Sequence, residues 1–399
     1  MLPTNPFRTH GDIVPPYFTG RADEVRRVRS AMLYTPARLL VYGARRMGKT
    51  AVLHAARRAA LRRTGLVAYA DLSAASTPVD VANRVLEGVV KGLGATWEDL
   101  AATLVSRIRI PLELVPDARS GLAIPAIEAS LRARDPADQY DSFLAVLDAL
   151  GALAAERDAS VALVLDEFQV IHRFGGELAE RRLRDAIGRH ERLSYVVAGS
   201  ETALITEMTS PNRPFHQVFD LLALGPIEPS PLARWIDDRL LAAGATVEGV
   251  GPIAVQLAGP RTGDVVRLAH AAFEVLREES PPPDPLAVVQ TALARVVAEE
   301  DDAMRTTWAT LTPVQQNVLR AVAWNGAGLA ARATLQRFGV GHGGTARNTA
   351  LALVARGILE PSSTSATGFS FASPFVRAWI VANALPDVGI HVVGGSWLG

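Results

Sequence analysis

Between residues 39 and 50 the sequence reads Leu39-Leu40-Val41-Tyr42-Gly43-Ala44-Arg45-Arg46-Met47-Gly48-Lys49-Thr50. A strand-like apolar run is followed by a turn bracketed by two glycines and by the start of a helix. A glycine, four residues and then Gly-Lys-Thr is the spacing of a P-loop. Glycines let backbone N–H groups approach a polyphosphate, and the following helix points its positive end at the same anion. The alternative is a glycine turn that arose by chance.

Each residue type in this loop has a predicted task. Lys49 reaches the β- and γ-phosphates of a nucleoside triphosphate, and the Thr50 hydroxyl ligates Mg²⁺. The phosphates lie against the segment formed by Gly43, Ala44, Arg45, Arg46, Met47, Gly48, Lys49, Thr50 and Ala51. The chain contains two lysines, Lys49 and Lys91, against 39 arginines. A lysine at this position therefore indicates that a point charge is required there.

Composition limits the class of protein. The chain has 399 residues, of which 49% are hydrophobic and 21% are charged, and its formal net charge is zero. It has no cysteine, which excludes disulfides, thiolate zinc sites and thiol catalysis. The first ten residues lack the apolar core of a signal peptide, and no uncharged apolar run approaches the ~18 residues of a membrane span. We expect a cytoplasmic protein that does not associate with membranes.

Two carboxylates follow a second buried run. The apolar residues 161–165 end in Asp166-Glu167, and ligands bind beyond the carboxyl ends of parallel strands. This predicts that Asp166 holds Mg²⁺ and that Glu167 activates the attacking water; a purely structural acidic pair is the alternative. The next strand, in residues 193–201, ends in the polar residue Ser200, which is placed to sense a γ-phosphate or its water. Alternating strands and helices predict an α/β P-loop core with a parallel sheet.

The chain divides into five predicted segments. Residues 1–18 form an N-terminal segment, rich in proline and aromatic residues, that packs on the core, and residues 19–225 form the P-loop core. An insertion at about 92–136 carries a β-hairpin made of residues 106–110 and 122–128. Residues 226–300 form an all-α lid, with a helix from 286 to about 307 and with Arg261 and Arg267 able to reach the nucleotide. A tail covers residues 386–399.

The segment from 301 to 385 shows the order of a winged helix, three helices followed by a two-stranded hairpin. Residues 303–385 contain seven arginines and one acid, a net charge of +6. Helix 345–356 is the predicted recognition helix, with Leu351, Val354 and Ala350 facing the core. The predicted contacts to duplex DNA are Arg332, Arg337, Thr345, Arg347 and Asn348. A solvated basic face that binds nothing is the alternative.

Together these motifs resemble the prokaryotic AAA+/STAND-type ATPases, related to archaeal origin-recognition initiators, in which a P-loop core, helical lid and winged helix follow one another. The residues that carry the resemblance are Asn5-Pro6-Phe7, Phe18-Thr19-Gly20-Arg21, Glu24, residues 43–50, Leu165-Asp166-Glu167, Gly199-Ser200, residues 371–375 and Trp379. The resemblance implies ATP hydrolysis, ATP-dependent homo-oligomers and an adenine site closed by Gly20 and Arg21.

Two departures from the family pattern concern arginines. Gln217-Val218 stands where relatives carry Gly-Arg, so Arg213 is the nearby substitute for an arginine finger acting on a neighbouring subunit. The initiators place a lid arginine three residues after a glycine, which is Val266 when counted from Gly263. The sensing arginine is therefore Arg261, Arg267 or neither.

Two functions fit these observations. In the first, the chain is an ATPase whose nucleotide state controls binding of duplex DNA through the winged helix. In the second, it is an ATP-dependent signalling switch whose winged helix contacts a protein partner without binding DNA. The basic charge of residues 303–385 favours the first, and the sequence indicates no particular pathway among replication, transposition, defence and transcription.

Overall fold

Five strands, all parallel, form one sheet in the order β2-β3-β4-β1-β5. In the computed structural model the strands are β1 Arg38–Tyr42, β2 Leu66–Asp71, β3 Val161–Asp166, β4 Leu193–Gly199 and β5 Asp220–Ala223. Every residue of β3 and β4 is buried. A central strand of a parallel sheet is covered on both faces and so is apolar throughout. The predicted α/β core is confirmed.

The structure describes residues 4–9, 11, 13, 16–34, 36–63, 66–93, 136–278 and 284–388. The chain divides into two compact units. We call residues 12–225 the sheet unit, and residues 1–11 with 226–399 the helical unit. The predicted hairpin at 106–110 and 122–128, most of the 92–136 insertion and the tail after residue 388 lie outside the described residues.

Helices cover both faces of the sheet. They are α1 Ala22–Leu33, α2 Lys49–Leu61, α3 Pro78–Leu93, α4 Pro136–Glu156, α5 Gly176–Arg189 and α6 Thr202–Met208. Successive side chains of a strand point to opposite faces. Accordingly Val41 and Val164 pack in the core formed with α1 and α2, whereas Leu40 and Leu163 pack in the core formed with α3, α4 and α5. The sheet is therefore buried on both sides.

The strand register brings distant segments to one edge of the sheet. Tyr42, the last residue of β1, pairs with Gly199 at the end of β4. Asp71, at the end of β2, pairs with Asp166 at the end of β3. The loop after β1, the acids after β3 and the polar residue after β4 consequently emerge side by side, at the edge where open parallel sheets bind ligands.

A buried polar cluster lies at the start of β4. His190 is hydrogen-bonded through Nε2 to Asp148 (2.9 Å) and through Nδ1 to the hydroxyl of Tyr195 (2.6 Å). Burial lowers the pKa of His190 below its usual range, although Asp148 opposes that effect. The imidazole is therefore neutral in the folded protein near pH 7 and joins α4 to β4 by hydrogen bonds.

The helical unit begins with four helices, as predicted for the lid. These are α7 Pro229–Ala242, α8 Val250–Ala258, α9 Thr262–Leu276 and α10 Pro285–Glu299. The predicted helix from 286 to about 307 is too long, because α10 ends at Glu299 and a separate helix, α11 Asp301–Ala309, follows it. Asp301 and Asp302 occupy the first turn of α11, where carboxylates favour a new helix start. Asp301 also accepts a hydrogen bond of 2.7 Å from the indole of Trp379.

The C-terminal elements follow the order that the sequence predicts. They are α12 Pro313–Trp324, α13 Arg332–Phe338, α14 Gly343–Ala355, β6 Leu359–Pro361, β7 Phe369–Phe371 and α15 Pro374–Trp379. Strands β6 and β7 pair antiparallel, with Leu359 opposite Phe371. A capping box between Thr312 and Gln315 starts α12. Naming this region a winged helix remains an interpretation of that order.

The N-terminal residues correct one prediction. Phe7 is 2% exposed and packs edge-on against Trp235 of α7, with ring centroids 5.6 Å apart. The side-chain amide of Asn5 donates to the His270 carbonyl (3.1 Å) and to Glu274 (2.6 Å), both in α9. Residues 5–7 therefore belong to the helical unit and not to the P-loop core, because an apolar site beside Trp235 buries the phenyl ring.

Within the ranges that the structure describes, none of the helices combines the length and the apolar composition that crossing a membrane requires.

Candidate active site

The loop between β1 and α2 has the backbone that its glycines predict. Gly48 has φ +90° and stands directly before the first residue of α2, and Arg46 also has positive φ. A Cβ atom on Gly43 would lie 2.4 Å from the carbonyl oxygen of Leu224. Glycine at position 43 thus allows the loop to pass against the segment that follows β5, and glycine at 48 allows the turn into the helix.

Lys49 lies inside this loop. Its side chain is 6% exposed, and Nζ donates to the carbonyl oxygens of Gly43 (2.8 Å) and Ala44 (2.9 Å). Arg45 and Arg46 are exposed on the outer side of the turn. The one ammonium group is therefore held against the loop that the sequence assigns to the phosphates.

Asp166 is the centre of a buried hydrogen-bond cluster. Its Oδ2 accepts from the Thr50 hydroxyl (2.8 Å) and from the Tyr69 hydroxyl (3.0 Å), and its Oδ1 accepts from the backbone N–H of Glu167 (3.0 Å). Burial raises the pKa of the Asp166 carboxyl, and the bonds from Thr50 and Tyr69 oppose the rise. The P-loop threonine and the acid after β3, 116 positions apart in sequence, are thus in direct contact.

This pair of oxygen ligands fits Mg²⁺. A hydroxyl and a carboxylate are hard donors, and Mg²⁺ is usually bound by one or two protein groups together with water and phosphate oxygens. Over the described part of the chain, no three His, Asp or Glu side chains converge in the way that an all-protein metal cage would need. Thr50 and Asp166 are therefore the residues that would hold a nucleotide-bound magnesium ion.

Glu167 is held by two neighbours. Its backbone has φ +57°, unusual for a residue other than glycine. The Ser200 hydroxyl donates to Glu167 Oε2 (2.6 Å), and the Gln169 amide donates to the same oxygen. Among the described residues, Glu167 Oε1 has no hydrogen-bond partner. The predicted base and the predicted γ-phosphate sensor are thus joined to each other, with one carboxylate oxygen left available.

Arg21 supports the P-loop. It is 4% exposed and donates to Glu24 (2.9 Å), to the carbonyl of Met47 (3.2 Å) and to the carbonyl of Gly225. The guanidinium is used by these three acceptors, so Arg21 fixes the loop backbone instead of projecting toward a nucleotide. Gly20, before it, is exposed with φ +69°.

Arg213 does not have the position expected of an arginine finger. Its guanidinium donates to both oxygens of Glu180 (2.8 and 3.0 Å) and lies 3.3 Å from Glu207. The Glu180 side chain is fully buried, and it also contacts Nδ1 of His172 (2.6 Å). A buried carboxylate needs a counter-charge, which explains why Arg213 points inward. These contacts do not support the expectation that Arg213 faces a neighbouring subunit.

The two lid arginines are engaged within the helical unit. Arg261 donates to the Ala372 carbonyl and to the Glu360 carboxylate. Arg267 donates to Glu300 and lies over the ring of Phe375, 5.0 Å from its centroid. These contacts join the lid to the C-terminal elements, and they do not support the prediction that either arginine reaches the nucleotide.

The candidate DNA contacts lie on α13 and α14. Arg332, Arg347 and Asn348 are exposed, and the two arginines have no partner within the described ranges. Arg337 is also exposed but lies over the Trp324 ring, 5.1 Å from its centroid. Thr345 is half-buried, and its backbone N–H donates to the side chain of His342, which caps α14.

The burial pattern of α14 corrects the predicted orientation of Leu351. Leu351 is 46% exposed, whereas Ala346, Ala350 and Leu353 are buried. Leu351 therefore lies on the outer face, one turn along from Arg347 and Asn348. Because α14 contains several alanines, either Leu351 or Leu353 fits an apolar stripe facing the core. The prediction chose Leu351, whereas Leu353 is the buried one.

Sequence reasoning missed two residues at the strand edge. Tyr69 in β2 contacts Asp166, and Gln169 contacts Glu167. The available signal for Gln169 was a single polar side chain inside the apolar run Phe168-Gln169-Val170-Ile171. Tyr69 gave no such signal, because tyrosine is common in strands.

Comparison with known proteins agrees with this geometry. Residues 17–197 match the family described as AAA ATPase domain. No curated protein matches the chain. The fold resembles the Walker-type ATPase of Pyrococcus abyssi, at 14% identity and TM-score 0.58, with 93% of this chain and 98% of that chain covered. It also resembles the ORC2 protein of Aeropyrum pernix in its ADPNP–ADP complexes, at 13% identity and TM-score 0.56, with coverage of 95% and 96%.

Proposed function

We propose that this chain, a P-loop ATPase of the AAA+ type related in fold to origin-recognition proteins, binds Mg²⁺–ATP and hydrolyses it at the edge formed by β1, β3 and β4. The observation that carries the proposal is the Thr50–Asp166 contact, together with Lys49 on one side and the Glu167–Ser200 pair on the other. Three segments that are far apart in sequence thus supply the phosphate, metal and water sites together.

Each residue has a role that its surroundings support. Lys49 would bind the β- and γ-phosphates, and Thr50 with Asp166 would hold a magnesium ion, which would neutralise charge on the phosphates. Glu167 accepts the proton of the attacking water on Oε1, while Ser200 holds Oε2. Arg21 keeps the Met47 carbonyl in place and so keeps the loop in shape.

The nucleotide site is tested by substitution of Lys49. Lys49→Ala should abolish binding of a fluorescent ATP analogue, because the variant loses the one ammonium of the loop. Lys91→Ala, which removes the chain's other lysine from an exposed position on α3, is the matched control and should bind as the parent does. Equal binding by parent and Lys49→Ala would remove this site from the proposal.

We further propose that the ATPase couples nucleotide state to duplex DNA through α13 and α14. Arg332 and Arg347, exposed and unpaired in the described structure, suit phosphates or a guanine edge, and Asn348 suits an adenine edge. Arg347→Glu should weaken duplex binding at ~50 mM salt and leave ATP hydrolysis without DNA unchanged. With roughly four phosphate contacts, log K should fall by about 0.9 per contact for each tenfold rise in salt.

The signalling switch remains the second candidate, and the exposure of Leu351 favours it. An apolar side chain beside Arg347 suits a protein partner better than a phosphate backbone. If the parent binds no duplex in any nucleotide state, the DNA proposal fails and the protein-partner switch replaces it. Self-association on ATP binding stays part of both proposals, and light scattering with ATP, ADP and a non-hydrolysable analogue tests it.

A further inference from the structure

Gln169 is a buried polar residue to which the proposed ATPase site assigns no role. It is 2% exposed and lies in the 3₁₀ helix Phe168–Phe174 that follows Glu167, where its neighbours in sequence, Phe168, Val170 and Ile171, are also buried. Its Nε2 donates to Glu167 Oε2 and lies 3.4 Å from Ser200 Oγ. Its Oε1 is buried and has no hydrogen-bond partner. Burying a carboxamide oxygen without a hydrogen-bond partner is unfavourable, so this residue lowers the stability of the fold.

The surroundings leave room for this carboxamide and for little else. A Cβ atom on Gly199, the last residue of β4, would lie 2.9 Å from Gln169 Oε1 and 2.6 Å from Ile205. Any larger residue at position 199 would push on the amide. Glycine at position 199 therefore leaves the space that the Gln169 amide occupies, and the next residue in the chain is Ser200.

The amide and the hydroxyl divide the Glu167 carboxylate into two unlike oxygens. Gln169 donates to Oε2 through the NH₂ end of its amide, the only end that can donate to a carboxylate. Ser200 donates to the same oxygen through its hydroxyl. Oε1 has no partner in the described part of the chain. Two donors on one oxygen stop rotation of the carboxylate and keep the other oxygen directed away from them, which is what a base acting on a water molecule needs.

We propose that Gln169 is a positioning residue for ATP hydrolysis, which acts by holding Glu167 Oε2 so that Oε1 faces the attacking water. This inference rests on the proposed hydrolysis, since it assigns Gln169 a part in that reaction. Gln169 itself touches neither nucleotide nor magnesium in this scheme, so its removal affects turnover and leaves substrate binding intact.

The test replaces the amide with a side chain of similar length that cannot donate. Gln169→Met should lower kcat for ATP by about tenfold or more, the range for partners that orient a reacting group, with KM and nucleotide affinity within about twofold of the parent. Gln169→Leu, an apolar side chain of similar volume that also cannot donate, should lower kcat at least as much. The second variant keeps the test informative if the methionine disturbs packing.

A double variant separates positioning from general structural damage. When Glu167 is already replaced by glutamine, the added Gln169→Met should change the residual rate by less than about twofold, because the group on which Gln169 acts is gone. An equal loss in the Glu167→Gln background, a parental kcat in both Gln169 variants, or a kcat above the parental value would each overturn the inference. If the parent hydrolyses ATP and the Gln169 variants hydrolyse it equally well, the positioning role alone is refuted. If the parent does not hydrolyse ATP, hydrolysis and the positioning role are refuted together.

Discussion

Arg213 gives a prediction that separates a structural role from an arginine finger. Arg213→Ala removes two charge-assisted hydrogen bonds, of 2.8 and 3.0 Å, from the fully buried carboxylate of Glu180. Loss of one partner of a buried ion pair costs about 3–5 kcal/mol. His172 keeps its 2.6 Å contact with Glu180, so we expect the lower end, about 3 kcal/mol of unfolding free energy.

Hydrogen exchange measured at increasing urea concentration shows whether this loss of unfolding free energy falls in the sheet unit. Peptides from β3 and β4 report unfolding of the sheet unit, and about 3 kcal/mol raises its unfolded population roughly a hundredfold. Arg181→Ala is the control. It removes the 2.8 Å ion pair between Arg181 and Glu177, which lie one turn apart on α5. Both side chains of this pair are about half exposed, and such pairs contribute under about 1 kcal/mol.

The outcome also decides the role of Arg213. A finger residue acts only on a neighbouring subunit, so Arg213→Ala would then keep parental stability and lose only the activity of the assembled protein. Equal unfolding free energies for Arg213→Ala and Arg181→Ala would refute the buried-pair reasoning. Replacing both partners, Arg213→Met with Glu180→Leu, should recover most of the stability, since no unpaired charge remains.

Three further predictions concern the base, the N-terminal segment and the buried histidine. Glu167→Gln should keep ATP affinity and slow turnover at least ~10²-fold, measured by phosphate release, whereas a parental rate would mean that another group takes the proton. Phe7→Ala should destabilise the helical unit by about 3–5 kcal/mol in urea denaturation followed by tryptophan fluorescence. Tyr34→Ala, at a residue 68% exposed, should stay within about 0.5 kcal/mol of the parent. The lowered pKa of His190 means that the unfolded state binds more protons, so stability should fall as pH drops below about 6.5, and His190→Gln should flatten that fall.

The sequence was sufficient for the sheet and for the groups at its edge. Apolar runs that end in distinctive residues, such as Gly43 after β1 and Asp166 after β3, identify both the strand and the end at which it binds ligands. Parallel strands present their carboxyl ends at one edge of the sheet, which is why Thr50 and Asp166 could be expected to meet. The contact of Tyr69 with Asp166 needed coordinates, because it depends on β2 lying beside β3. The contact of Gln169 with Ser200 needed them because it depends on β3 lying beside β4.

Arginine assignments were the least predictable part. A guanidinium on a long side chain reaches many acceptors, and its sequence position says little about which one it uses. Arg213 was assigned from a family pattern, but a buried glutamate 33 positions away determines where it points. Arg261 likewise lies against Glu360, 99 positions away, so only the tertiary fold reveals its partner.

The placement of residues 5–7 in the helical unit has a consequence for synthesis of the chain. Phe7 precedes the sheet unit in the chain, whereas its partner Trp235 follows that unit, more than 200 residues later, and the acceptors His270 and Glu274 follow later still. Every residue of the sheet unit is therefore synthesised before the partners of Phe7. A substitution at residues 5–7 would therefore act on the helical unit, the last to be synthesised in full, and leave the P-loop, which stands between the two parts of that unit in the chain, intact.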